Sequence, residues 1–238
     1  MMHRAITKSI LSRQARGYFV TGTDTGVGKT WITVGLMLAL REWGLNVVGM
    51  KPVATGCYQT PAGLRNEDAV KILAHSSQLL PYEWINVYSF EPAIAPHLAA
   101  QEQGVEMTVE AILAAHKRVA DRAEFIVVEG IGGWRVPLND RQGIWDLARH
   151  LEYPVILVIG LRLGCINHAL LTTEAISTDG LDLAGWVANQ IAPDYPRLEA
   201  TLDTLSARLQ APMLAHVPWL DREDMQAVAS YLSQGEAQ

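Results

Sequence analysis

The chain has 238 residues, 49% hydrophobic and 18% charged, and a formal net charge of −6. That length suits one hydrophobic core, since single cores stop growing near about 250–300 residues, and the acidic balance excludes nucleic-acid binding through a basic face, which needs clustered Lys and Arg. Two cysteines, Cys57 and Cys165, exclude a disulfide framework and point to a reducing, cytoplasmic setting; no apolar run nears the ~18 residues of a membrane span, so no membrane partner is expected.

Residues 1–16 carry Arg4, Lys8, Arg13 and Arg16 and no acid. Such a stretch has the composition of an organelle leader or of a basic tail outside the core. The second reading is preferred, and the core is expected to begin at Gly17. A strand over 18–21 leads through a glycine-rich turn into an amphipathic helix over 29–43, stopped by Gly44. A second strand is predicted over 46–50. Residues 51–125 then interrupt the alternation. They hold a helix over 66–75 capped by Asn66, a Pro- and aromatic-rich stretch, and helices over 96–103 and 108–122. Strands follow over 124–129, 154–159, 183–188 and 211–217, separated by helices over 144–151, 166–178 and 195–209.

These strands are nearly continuous apolar runs, the mark of a parallel sheet buried on both faces. The β-α-β alternation predicts an α/β fold with a doubly wound, mostly parallel sheet, in a single domain over 17–238. Ligands of such sheets bind beyond the carboxyl ends of the strands, and the long excursion over 51–125 is expected to carry substrate contacts.

The residues at those strand ends are chemically specific. Gly22-Thr23-Asp24-Thr25-Gly26-Val27-Gly28-Lys29-Thr30 follows the first strand and opens a helix, the context of a P-loop for a nucleoside triphosphate. Five residues, not the usual four, separate Gly22 from Gly28. Backbone N–H groups and the helix N-terminus would cradle phosphate oxygens; Lys29 would neutralise them and the Thr30 hydroxyl would reach Mg²⁺. Asp24 stands where ATPases that partition DNA or position cell division carry a lysine, and it is read as accepting backbone hydrogen bonds in the turn or as helping to order the metal shell. Lys51 follows the second strand. Glu129 ends the apolar strand before Gly130-Ile131-Gly132-Gly133, the position of a Walker-B carboxylate. Asp68 by itself reads as a carboxylate favoured at a helix N-terminus.

Taken together, TGTDTGVGKT, KPVATG, GLRNEDA, VVEGIGGW, LGCINHALLT and AGWVAN closely resemble, in order and spacing, the dethiobiotin synthetase family. The resemblance spans about residues 17–220. It implies a homodimeric ligase with a P-loop NTPase fold, converting 7,8-diaminopelargonate, CO₂ and MgATP to dethiobiotin, ADP and phosphate. The family route captures CO₂ on one amine as a carbamate, phosphorylates the carbamate to a carbamic-phosphoric anhydride, and closes the cyclic urea with the second amine. Lys51 and Lys29 match its catalytic lysines, and Thr30, Asp68 and Glu129 its Mg²⁺ ligands.

Further positions follow from the same resemblance. Nucleotide contacts are implied for Gly26, Val27, Gly28 and Trp31 in the first loop and helix, and for Gly130, Ile131 and Gly132 after Glu129. Asn189 and Gln190 match adenine contacts, and Pro218, Trp219 and Leu220 the segment over the base. Thr55 matches a substrate contact. Cys165, Ile166 and Asn167 match the helix start that takes the substrate carboxylate of a neighbouring subunit, with the Cys165 side chain read as packing. Two competing classes are a diverged paralogue and an ATP-dependent dimerising switch. A related amide-forming ligase would need its own glutaminase nucleophile, for which 238 residues leave no room.

Overall fold

The computed structural model describes residues 15–220 and 224–234. The leader reading falls almost wholly on residues 1–14, outside the described residues. The Arg16 carbonyl already accepts from the Ile126 N–H, at 3.0 Å.

Six parallel strands form the central sheet: β1 (Gly17–Gly22), β2 (Val47–Met50), β7 (Phe125–Glu129), β8 (Val155–Leu161), β9 (Leu183–Gln190) and β10 (Met213–Val217). Their order is β10-β9-β8-β1-β7-β2, the doubly wound arrangement anticipated from the apolar runs. Alternate side chains serve the two faces. Ile156, Val158 and Val187 join the larger core, whereas Leu157, Ile159 and Trp186 pack in a second cluster with Leu202 and Leu205. Both faces are therefore dry, which is why β1, β7 and β8 are buried along their whole lengths.

The register decides what meets at the carboxyl edge. Val20 of β1 pairs with Glu129 of β7, and Gly22 with Val158 of β8. Met50 of β2 pairs with Val128, so Lys51 emerges beside Glu129. Gly160 of β8 pairs with Asn189 of β9. Four sequence-distant strand ends thus surround the glycine loop that follows β1.

Helix α1 (Lys29–Glu42) leaves that loop and is buried along most of its length. Helix α2 (Glu67–Ala74) starts where expected: Asn66 Oδ1 accepts from the Asp68 and Ala69 amides, satisfying two otherwise orphaned donors. Next come α3 (Tyr82–Ile85), α4 (Pro96–Glu102) with Pro96 in its first turn, and α5 (Val109–Ala120). The remaining helices among the described residues are α6 (Ile144–Leu151), α7 (Cys165–Thr178), α8 (Leu198–Arg208) and α9 (Met225–Gln234).

The excursion holds more structure than its sequence announces. Short strands β3 (Val53–Thr55) and β6 (Tyr88–Phe90) pair in parallel, and β4 (Tyr58–Thr60) and β5 (Gly63–Arg65) form a hairpin. Three-residue strands are too short to show a period of two, so hydrophobic patterning cannot reveal them. Helix α8 begins at Leu198, later than predicted, because Arg197 is held at φ 61, outside the helical range. The closing helix α9 was also not predicted. It packs on α1 at Gly35, where an added Cβ would lie 2.4 Å from Val228 Cγ1. Gly35→Val is therefore expected to destabilise the fold by about 1–3 kcal/mol through overpacking, read as a lower urea midpoint at unchanged slope.

Candidate active site

The loop after β1 adopts its shape because two glycines take left-handed backbone: Gly26 at φ 73 and Gly28 at φ 87. Gly28 caps α1 with its carbonyl, which accepts from the Ile32 N–H, and it lies directly under Asn189. The Asn189 amide donates to the Val27 carbonyl at 2.8 Å and so ties β9 to the loop. Val27 itself is buried, its side chain turned toward Gly22 and Gly160. Asp24 behaves as read from the sequence: Oδ1 accepts from the Thr25 N–H at 2.7 Å. Its other oxygen pairs with Arg162 after β8, a partner not foreseen. The Thr25 hydrogen bond, and then Arg162, hold the Asp24 carboxyl below its usual range.

Lys29 is buried and donates to the Asp24 carbonyl at 2.8 Å. Burial above all, then the like charge of Lys51, draws its pKa down to about 8, with Glu129 opposing. An anion placed beside Lys29 would raise that pKa again.

At the floor, four side chains converge. Glu129 is buried, and its Oε1 accepts from the Thr30 hydroxyl at 3.0 Å and from the Lys51 ammonium. Asp68 Oδ2 stands 3.4 Å from the same Nζ. Burial alone would lower Lys51, but Glu129 and then Asp68 outweigh it and hold the ammonium above its ordinary pKa. The remaining Glu129 oxygen, Oε2, is buried without a hydrogen-bond partner. Such an orphaned acceptor carries a desolvation cost of about 1–3 kcal/mol or more. Thr30, Asp68 and Glu129 together form a hard oxygen set of the kind Mg²⁺ takes beside phosphates, and the orphaned oxygen is one that a cation would satisfy. Among the described residues no group of three or more His, Cys, Asp or Glu gathers that could hold a metal without such help.

A cavity of about 760 Å³ opens above this floor. Gly26, Gly28, Lys29, Thr30, Trp31, Lys51, Thr55, Asp68, Glu129, Ile131 and Gly132 are among the residues that line it. A smaller cavity of about 180 Å³ adjoins it at Gly26, Gly28 and Trp31 and is bounded by Asn189, Gln190, Pro218, Trp219 and Leu220. Gly130 lines neither; it backs onto Phe19. Cys165, Ile166 and Asn167 also lie outside both cavities, at the start of α7. The Cys165 thiol is buried 3.6 Å from the Tyr195 hydroxyl, in keeping with a packing role.

A family model described as an AAA domain matches residues 16–226. An ATP-dependent dethiobiotin synthetase of Pseudomonas paraeruginosa is 56% identical over 216 residues, covering 90% of this chain and 95% of the relative. One from Cellvibrio japonicus is 46% identical over 91% of this chain and 95% of its own length. The chain belongs to the dethiobiotin synthetase family. Among solved structures, the MinC:MinD cell division complex of Aquifex aeolicus matches with a TM-score of 0.57 at 14% identity, covering 92% of this chain and 93% of that one. A ParA family ATPase from Chlorobium tepidum matches at 0.54 and 16%, covering 94% and 90%. At that identity the likeness shows the P-loop fold alone. It sets this chain on the same scaffold as those proteins.

Sequence reasoning missed part of the larger cavity wall: Asn66, Ala93–Pro96 and Arg135–Pro137. Asn66 was read only as a helix cap. Arg135 is drawn to Asp179 at 2.8 Å and lies over the Trp145 ring, contacts between residues too far apart in sequence to announce themselves. Gly28→Ala tests the loop geometry. The new Cβ would stand 2.2 Å from Asn189 Nδ2 on a backbone that L-residues rarely adopt. ATP binding, followed by calorimetry, is expected to weaken at least about tenfold, since strain of this kind costs of order 1–3 kcal/mol.

Proposed function

We propose that these cavities make dethiobiotin from 7,8-diaminopelargonate, CO₂ and ATP, with the residues at the strand ends in the following roles. The observation that supports this best is Lys51, held as a buried cation between Glu129 and Asp68 on the cavity floor. An ammonium paired with carboxylates is suited to stabilising an anion and unsuited to acting as a base or nucleophile. The carbamate formed when one substrate amine adds to CO₂ is such an anion. Its oxygen attacks the γ-phosphorus while the bond to ADP breaks, and the second amine then closes the ring on the carbonyl carbon and releases phosphate. No covalent bond to the protein is required. The chain's work is positioning and charge stabilisation.

Lys29 sits where it can follow the phosphoryl group from ATP to the carbamate. Thr30, Asp68 and Glu129 are the residues that would hold Mg²⁺, which when bound would neutralise phosphate oxygens. Thr55, which lines the larger cavity, would contact the diamine. In the smaller cavity, Asn189 commits one amide hydrogen to Val27 and keeps Oδ1 as an acceptor, which suits the exocyclic amine of adenine. Trp31, Pro218, Trp219 and Leu220 supply apolar walls for the base, with Gln190 beside them.

The start of α7 would complete the site from a second copy of the chain. Leu163, immediately before it, is fully exposed, and Leu171 is 57% exposed. These apolar side chains suit a homodimer contact that brings a helix N-terminus to the substrate carboxylate. The Cys165 N–H is already given to the Arg162 carbonyl, which leaves Ile166 and Asn167 as the donors. Among the described residues no helix is long and apolar enough to cross a membrane. Both cysteines are free and buried, which supports a reducing, cytoplasmic setting.

The decisive test is phosphate release from MgATP at fixed bicarbonate, with and without 7,8-diaminopelargonate. Release that requires the diamine is the expected result; diamine-independent hydrolysis would identify a nucleotide switch instead. Lys51→Gln is expected to lower kcat by about 10²–10³-fold, the usual loss when one preorganised charge donor is removed, with nucleotide affinity little changed. Near-normal turnover in that variant would remove Lys51 from the mechanism. Glu129→Ala should abolish Mg²⁺-dependent turnover in a protein that still folds, checked by circular dichroism alongside activity.

A further inference from the structure

Lys51 and Pro52 lie in the turn between β2 and β3, outside either strand, yet their backbone is gripped from behind. The Lys51 N–H donates to the Ile85 carbonyl at 3.0 Å, and its carbonyl accepts from Asn86 Nδ2 at 2.8 Å. The Pro52 carbonyl accepts from Val87 and Tyr88 at 3.0 and 2.9 Å. Asn86 is held in turn, its Oδ1 accepting from the Tyr82 hydroxyl at 2.8 Å and from Ser89 Oγ at 2.6 Å. The Tyr82 oxygen also accepts from the Asn66 N–H at 2.8 Å. Asn66 caps α2 through Oδ1 on the Asp68 and Ala69 amides, and its Nδ2 donates to the Thr55 carbonyl at 3.3 Å. All three members are buried: Asn66 is 7%, Tyr82 8% and Asn86 3% exposed.

We infer that Tyr82 and Asn86 are positioning residues of the ligase reaction, joining the backbones of Lys51, Thr55 and Asp68 into one rigid unit through a single buried hydroxyl. The inference rests on the roles given above to those three residues. Tyr82 and Asn86 touch no reacting atom. Their effect runs through Lys51, whose ammonium sits at the end of a flexible four-carbon stem and is only as well placed as the backbone that carries it. A satisfied hydrogen-bond network in a low-dielectric interior is stiff, and misplacing a reacting group by about 1 Å can cost about 10²-fold in rate. The P-loop, built on β1 and α1, has no part in this chain of contacts. Nucleotide binding and phosphoryl transfer should therefore separate when the chain is cut.

Tyr82→Phe removes one oxygen and no bulk. It leaves the Asn66 N–H without its acceptor and Asn86 with Ser89 as its side-chain donor. In this variant diamine-dependent kcat is expected to fall about ten- to a hundredfold while the ATP dissociation constant changes less than about twofold. Amide hydrogen exchange by mass spectrometry should quicken at Lys51 and at Asp68–Ala69 while the peptide over residues 22–30 keeps its wild-type rate. A merely structural role would instead quicken exchange throughout and leave kcat unchanged in the folded fraction. Unchanged local exchange, or unchanged kcat in an active enzyme, overturns the inference. Wild-type protein without diamine-dependent release would overturn the ligase reading, and the exchange comparison would still decide whether Tyr82 fixes Lys51. Should Tyr82→Phe fail to fold, Ser89→Ala removes the parallel donor to Asn86 Oδ1. The same local exchange change with a smaller, about two- to fivefold, loss of kcat is then expected, and no change in either overturns the proposal.

Discussion

One buried carboxylate organises the site. Glu129 closes strand β7 between β1 and β2, and its Oε1 receives both the Thr30 hydroxyl and the Lys51 ammonium. A lone charge at that depth would be intolerable, and breaking such a buried pair typically costs about 3–5 kcal/mol. The pair is retained because the geometry is supplied by strand register rather than by side-chain choice. Val20 opposite Glu129 and Met50 opposite Val128 bring the P-loop helix and the β2 turn to the same oxygen. The orphaned second oxygen marks where the arrangement is unfinished within the chain alone.

The two lysines differ in what their surroundings do to them. Lys29 is buried with a carbonyl as its hydrogen-bond partner, and burial pulls its pKa down to about 8. Lys51 is buried between two carboxylates and is pushed the other way. Burial thus dominates at one lysine and the neighbouring carboxylates at the other. That division suits the proposed roles, one lysine beside the moving phosphoryl group and the other beside the carbamate.

The excursion between β2 and β7 explains how a turn can carry so exacting a residue. Its short strands and single-turn helix bury Val53, Ile85 and Phe90 in the core and also supply a set of buried polar contacts behind Lys51, Thr55 and Asp68. Most of the sheet obeys hydrophobic patterning. This region is governed by hydrogen-bond satisfaction, where every buried donor must find an acceptor.

That contrast sets the division between what is legible in the sequence and what is not. Apolar runs over 18–21, 124–129 and 154–159 determine the parallel sheet, because a strand dry on both faces admits few polar residues. The glycines and the Lys29-Thr30 pair determine a phosphate loop, because only that backbone and those donors suit the ligand. The family motifs carry the ligase identity, and the chain's relatives bear it out. Lys51 and Glu129 were legible as strand-end charges, but their direct pairing was not, since 78 residues separate them and only register joins them. Asn66 read as a cap and proved to line the cavity; Tyr82 and Asn86 read as nothing at all. Local sequence determines what local physics rewards: apolar periodicity, turns and caps. The tertiary structure alone decided which buried polar groups meet, because a hydrogen bond between distant segments leaves no pattern along the chain.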